Sequence, residues 1–232
     1  VADEVGRFTY YCNVWCDPYH YRMRGTLEVV DPAAPEDLIV AEEEPSFAGL
    51  DIDSRHEAEF YPATRPSAVR GQALAAQIEL PALGDGSTEL AEVLRSQSPS
   101  AVFKAIRQGD SAASLSDEEV WDLVAYLWST ATTPERVATG EALYAKNCAA
   151  CHGETGGGDG PGGRYMEERP TDFTNAMTMA GGSSEIYYAK TQRGGMGTGM
   201  PYWGTIFSEE ETWGVVDYLW TFLFDDVKTE EQ

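Results

Sequence analysis

Arg136-Val137-Ala138-Thr139-Gly140-Glu141-Ala142-Leu143-Tyr144-Ala145-Lys146-Asn147-Cys148-Ala149-Ala150-Cys151-His152 is the stretch from which the rest of the chain can be read. Its first part has the pattern of a helix start. Its last five residues are C-x-x-C-H, a spacing that brings two thiols and an imidazole out of the chain within one helical turn. Such a turn suits covalent attachment of a c-type haem, because both thiols can reach the two vinyl groups and the adjacent imidazole then points at the iron. Two other chemistries use close cysteines. A zinc site needs four N or S ligands, and this region offers Cys148, Cys151 and His152. A thioredoxin-like redox pair needs a βαβ setting, which the flanking sequence does not have.

Reading downstream, Gly153 to Gly163 is a glycine-rich loop that includes Gly160-Pro161. Gly197-Thr198-Gly199-Met200-Pro201-Tyr202-Trp203 follows, and then an amphipathic final helix. In this order the sequence resembles the class I cytochrome c family over about residues 135–225. The resemblance implies one covalent haem c, with thioether links at Cys148 and Cys151, His152 as proximal iron ligand and Met200 as distal ligand. A Met/His pair raises a haem's potential. The resemblance also implies that the Pro161 carbonyl accepts the other imidazole N–H of His152, a common device for fixing a ligand ring. Met196 stands four residues before Met200 and competes for the distal position, whereas Met177 and Met179 read as packing or loop residues. Tyr202, Trp203 and Trp213 are candidates for lining the haem crevice and equally for ordinary core.

Upstream, two stretches repeat the pattern around the motif. Ser67 to Gln77 matches Arg136 to Lys146, and Leu115 to Trp128 matches Phe207 to Trp220. Each copy of the second pair opens on a serine followed by acids, which cap a helix start and complement its dipole, and continues with an apolar stripe at helical spacing. Two copies of one small helical unit explain this economically. The first copy, residues 65–131, has Ile78-Glu79-Leu80-Pro81-Ala82-Leu83 where the second has its attachment motif, and no methionine falls between Met23 and Met166. It reads as a haemless, degenerate cytochrome c-like domain whose haem volume is filled by side chains or closed by shortening.

Residues 5 to 31 read as two strands joined by a loop, with near-alternating apolar and polar positions in Arg7 to Cys12 and in Thr26 to Val30. The loop carries Cys12-x3-Cys16-x3-His20-x2-Met23, a set of soft thiolates, an imidazole and a thioether that suits copper. Its spacing resembles the ligand loop of the binuclear CuA site of nitrous oxide reductases and of subunit II of haem-copper oxidases. That resemblance implies Cys12 and Cys16 as bridging ligands, with His20, Met23 and the backbone carbonyl of Val14 as terminal ones. The Val14 position departs from both patterns, oxidase subunits carrying glutamate there and nitrous oxide reductases tryptophan. A complete site also needs a second histidine from an earlier strand, and no histidine precedes His20. Either the upstream cupredoxin strands come from a longer polypeptide, or an associated chain supplies them, or the copper site has decayed. The competing reading is a Cys12–Cys16 disulfide in an oxidising compartment.

The expected architecture is therefore mainly α. Residues 1–35 form the C-terminal strands and ligand loop of a CuA-like cupredoxin, a β-hairpin remnant of its barrel. Residues 36–64 form a proline- and acid-rich linker or wrapping segment, 65–131 the haemless domain and 135–228 the monohaem domain. Val1 to Gly6 lack the basic and apolar regions of a signal peptide, which fits a mature or partial chain, and no stretch approaches the length of a membrane span. Among the 232 residues, 39 acids against 16 bases give a net charge of −23. That balance makes nucleic acid and anionic membrane poor partners; it can steer a basic redox partner, or simply keep the protein soluble. The expected role is electron transfer in a respiratory chain, on the periplasmic or extracytoplasmic side, as a subunit or tail of a terminal reductase or oxidase that is not catalytic by itself. The alternative is a freestanding monohaem carrier or docking protein without copper. A haem peroxidase would need an open iron position, which Met200 opposes.

Overall fold

The computed structural model describes residues 5–11, 24–30, 33, 47, 49–80, 83, 88–195, 198–225 and 227. Two strands open the chain, β1 (Gly6–Tyr11) and β2 (Arg24–Val29), paired antiparallel with Gly6 opposite Val29 and Tyr11 opposite Arg24. The loop between them, with Cys12, Val14, Cys16, His20 and Met23, lies outside the described residues. Nine helices follow among the described residues: α1 (Ala68–Ala75), α2 (Leu90–Ser96), α3 (Pro99–Arg107), α4 (Asp117–Thr130), α5 (Pro134–Asn147), α6 (Ala149–His152), α7 (Ala176–Gly181), α8 (Ser184–Arg193) and α9 (Glu209–Leu219).

One helix crossing occurs twice. α1 packs across α4 through Gly71, where an added Cβ would overlap the Asp122 carbonyl and come within 2.8 Å of Tyr126 Cβ. α5 packs across α9 through Gly140, where an added Cβ would overlap the Gly214 carbonyl and come within 2.9 Å of Tyr218 Cβ. Each crossing is close because glycine lets one backbone touch the next helix. The caps repeat as well. The Ser116 N–H donates to Glu119 at 2.7 Å and the Glu119 N–H to the Ser116 hydroxyl at 3.2 Å. The corresponding bonds of Ser208 and Glu211 are 2.8 and 3.2 Å. These capping boxes satisfy N–H groups that the first turn leaves open.

A third correspondence joins α3 to α8. Ser98 caps α3 and Phe103 stacks on Trp121 at 4.6 Å; Ser183 caps α8 and Tyr188 stacks on Trp213 at 4.3 Å. The two units differ in what joins these parts. Residues 108–115 connect α3 to α4, while the longer 194–207 connects α8 to α9 and carries Met200.

A continuous buried core runs through both units, with Leu94, Trp121 and Trp128 from the first and Tyr144, Phe173, Trp220 and Phe224 from the second. The exit from α9 closes on the entry to α1: the Asp225 N–H donates to the Pro66 carbonyl at 2.8 Å and the Ala68 N–H to the Asp225 carbonyl at 3.1 Å. Part of the acid-rich segment wraps both units. Phe47 meets the edge of Tyr188, the Ala58 N–H donates to the Met177 carbonyl, Lys190 donates to the Ile52 carbonyl, and Phe60 stacks on Phe103.

Candidate haem site

The attachment turn grows directly from α5. Its first turn is set by Pro134 and by the Thr133 hydroxyl, which accepts from the Arg136 N–H. At its other end the Cys148 N–H donates to the Tyr144 carbonyl at 2.8 Å and the His152 N–H to the Cys148 carbonyl at 2.9 Å. Cys151 and His152 therefore leave one short helix, α6, and Cys148 caps its start. Gly153, at φ +83°, ends that helix in a conformation that other residues rarely adopt. The buried Tyr144 hydroxyl donates to the Gly153 carbonyl at 2.8 Å and locks the turn's exit.

The glycine loop folds back onto this turn. The Gly158 N–H donates to the His152 carbonyl and the Gly162 N–H to the Ala150 carbonyl, both at 2.8 Å. A Cβ at Gly160 would stand 2.7 Å from the Ala149 carbonyl oxygen. Pro161 is thereby an exposed corner behind the attachment turn, and the expectation that its carbonyl holds His152 is corrected. The His152 Nδ1–H donates instead to the Thr171 carbonyl at 3.1 Å. Phe173 stacks on the imidazole at 4.7 Å and 19°, and its own N–H donates to the Gly156 carbonyl at 2.7 Å. Thr171 and Phe173 carry no signal in the sequence that marks them as partners of His152. Their place depends on how the glycine loop closes.

Burial sets the protonation states here. It pushes the Cys148 thiol up to about 12, with the neighbouring Cys151 adding to the effect, and raises Cys151 as well. It holds His152 below its ordinary value, against the opposing effect of the Thr171 bond. The pair are neutral thiols, and the imidazole is neutral with its proton on Nδ1. Its Nε2 lone pair is left for a metal.

Met200 lies on the α8–α9 connection, half-buried against a small cluster separate from the main core and built from Trp203, Phe207 and Val215, with Leu143 and Ile206 beside it. Leu143 places this cluster on α5, the helix that ends in Cys148. The loop is pinned at its base, where the Trp203 N–H donates to the Thr191 carbonyl and the Gly204 N–H to the Gln192 carbonyl. The buried Gln192 amide then donates to Thr212 on α9 at 2.7 Å. Met196 lies outside the described residues, and Met179 is wholly buried core. Trp203 does belong to the Met200 cluster. Trp213 instead stacks on Tyr188 beneath the Arg95 guanidinium.

With this geometry in place, residues 137–222 match the family model for cytochrome c. That segment is a cytochrome c domain, a type that holds haem covalently and transfers electrons with redox partner proteins. A chain of a Kuenenia stuttgartiensis reducing HAO-like protein complex is similar at 20% identity over 75% of this chain and 81% of that one, with a TM-score of 0.36. A likeness that loose carries no argument about fold or role. No curated protein matches the chain. Among the described residues no helix is long and apolar enough to cross a membrane.

The residues present fit a covalent haem. Two neutral thiols share one turn, an oriented imidazole offers Nε2, and a thioether stands on a loop anchored to the same helix pair. The haem itself supplies a one-electron iron couple. The chain supplies attachment, ring orientation and an apolar setting.

Proposed function

We propose that the chain is the electron-transfer subunit or tail of a CuA-containing respiratory terminal reductase or oxidase, in which its haem exchanges single electrons with a copper centre and substrate chemistry occurs elsewhere. The observation that carries the haem half of this reading is the orientation of His152 by the Thr171 carbonyl, which leaves Nε2 for iron. Cys148 and Cys151 are the thioether links and Met200 the distal ligand. In the copper half, Cys12 and Cys16 bridge two coppers, with His20, Met23 and the Val14 carbonyl as terminal ligands. The antiparallel pairing of β1 with β2 supports this, since it returns both ends of the ligand loop to one place. The second histidine comes from upstream cupredoxin strands.

Residues 65–131 act in this reading as a haemless cytochrome c-like module with a structural or docking role. The repeated glycine crossing, capping box and aromatic stack support that descent. So does the shorter 108–115 connection, which has no counterpart of the Met200 loop. A periplasmic setting follows from haem attachment of this kind, and the net charge of −23 suits a basic redox partner.

Metal analysis tests the reading. The intact complex and this 232-residue chain are purified separately, and iron, copper and the mixed-valence spectrum are measured for each. Two coppers in the complex, none in the isolated chain and one haem in both is the expected result. A copper-free complex with a Cys12–Cys16 disulfide would leave a freestanding carrier and sink the copper half.

A further inference from the structure

Met166 lies between the two segments that carry the proposed iron ligands. It follows a 3₁₀ turn, Gly163–Tyr165, whose start is fixed to the attachment turn. There the Gly162 N–H donates to the Ala150 carbonyl at 2.8 Å, and a Cβ on Gly163 would stand 2.7 Å from the Cys151 carbonyl oxygen. At its other end the Met166 thioether lies against Gly199: a Cβ built there would be 2.5 Å from Sδ and 2.7 Å from Cε. Gly199 is buried and directly precedes Met200. The Met166 side chain therefore reaches from a turn that is itself fixed to the segment carrying Cys151 and His152 to the backbone next to Met200.

We propose that Met166 is a positioning residue for the bond between Met200 and the haem iron. Its thioether fills the space behind Gly199 and holds the ligand loop at the spacing from the attachment turn that the iron requires. The proposal rests on Met200 being the distal ligand. Hydrogen bonds near the ligand are at the long end of the normal range, with the Met200 N–H donating to Thr198 Oγ1 at 3.2 Å and the Gly195 N–H to the Met200 carbonyl at 3.2 Å. Packing then decides where the loop rests. An unbranched, polarisable thioether adapts to such an irregular gap, and glycine at 199 leaves room for it.

The test uses the haem-loaded chain and reads the methionine-to-iron charge-transfer band and the reduction potential. Met166→Ala should lose most of the band and lower the potential, because a Met/His ligand pair is what keeps it high. Met166→Leu, which restores the bulk without sulfur, should retain both. An unchanged band and potential in Met166→Ala would overturn the proposal. So would Met166→Leu failing as badly as Met166→Ala, since sulfur rather than packing would then be at work. If Met166→Ala does not retain haem, the milder Met166→Val decides: wild-type band and potential there would overturn the positioning role. A Met200→Ala variant that keeps the band would instead sink the ligand assignment beneath it.

Discussion

Trp128 and Trp220 hold matching places at the ends of α4 and α9, and they meet edge to face at 5.5 Å in the seam between the two helical units. Phe224 completes the contact at 5.9 Å from Trp128. Because the same buried core passes through this seam, the first helical unit contributes to the stability of the second. Trp128→Ala removes a large buried ring and should cost about 3–5 kcal/mol. Denaturant unfolding followed by haem absorbance and by helical circular dichroism should shift together. A haem-absorbance midpoint that stays at the wild-type value would show the units to be energetically separate.

Gly71→Ala and Gly140→Ala test the two helix crossings in the same way. In each, the new methyl meets a backbone carbonyl of the facing helix, which cannot swing aside as a side chain end can. Overpacking of this kind costs about 1–3 kcal/mol or more. Both variants should lose stability by similar amounts in thermal unfolding. A neutral Gly71→Ala would show that α1 does not need its close approach to α4.

Asp217 supplies a pH test away from the iron ligands. Its carboxylate is nearly buried, accepts from Thr132 at 2.6 Å and pairs with Arg136 at 2.8 Å. Burial raises its pKa above the ordinary 3.8, outweighing the lowering effects of Thr132, Arg136 and Arg95. A folded-state pKa above the unfolded one gives stability that is present below the unfolded value and lost as pH rises through the folded one. The stability difference between wild type and Asp217→Asn should therefore move in the variant's favour as pH rises from 3.8 through the raised pKa, and then level off. Wild type gaining on the variant over that window would mean that Arg136 outweighs burial.

How far the sequence could be read follows the range of the forces involved. Cys148, Cys151 and His152 stand out in the sequence because C-x-x-C-H puts them within one turn, and Met200 because its neighbours Pro201 to Trp203 and the capped helix beyond it frame the connection that carries it. The matching caps and apolar stripes of the two units are legible because they are local. The likeness of α3 to α8 is not, since Ser98-Pro99-Ser100 and Ser183-Ser184-Glu185 share only their cap, and the stacking of Phe103 and Tyr188 on equivalent tryptophans emerges only in three dimensions. Thr171 holds His152, in the place expected of Pro161, because the glycine loop doubles back on Ala149 and Ala150 before reaching the ring. That closure depends on contacts far apart in the chain.

One low-spin, six-coordinate haem held by His152 and Met200 is the state expected of this chain. The visible spectrum of the haem-loaded protein, compared with Met200→Ala and Met196→Ala, tests it most directly. The expected result is one covalent haem per chain, a methionine-to-iron charge-transfer band at the red end of the spectrum, loss of that band in Met200→Ala and its survival in Met196→Ala. A band that survives in Met200→Ala and disappears in Met196→Ala would contradict it.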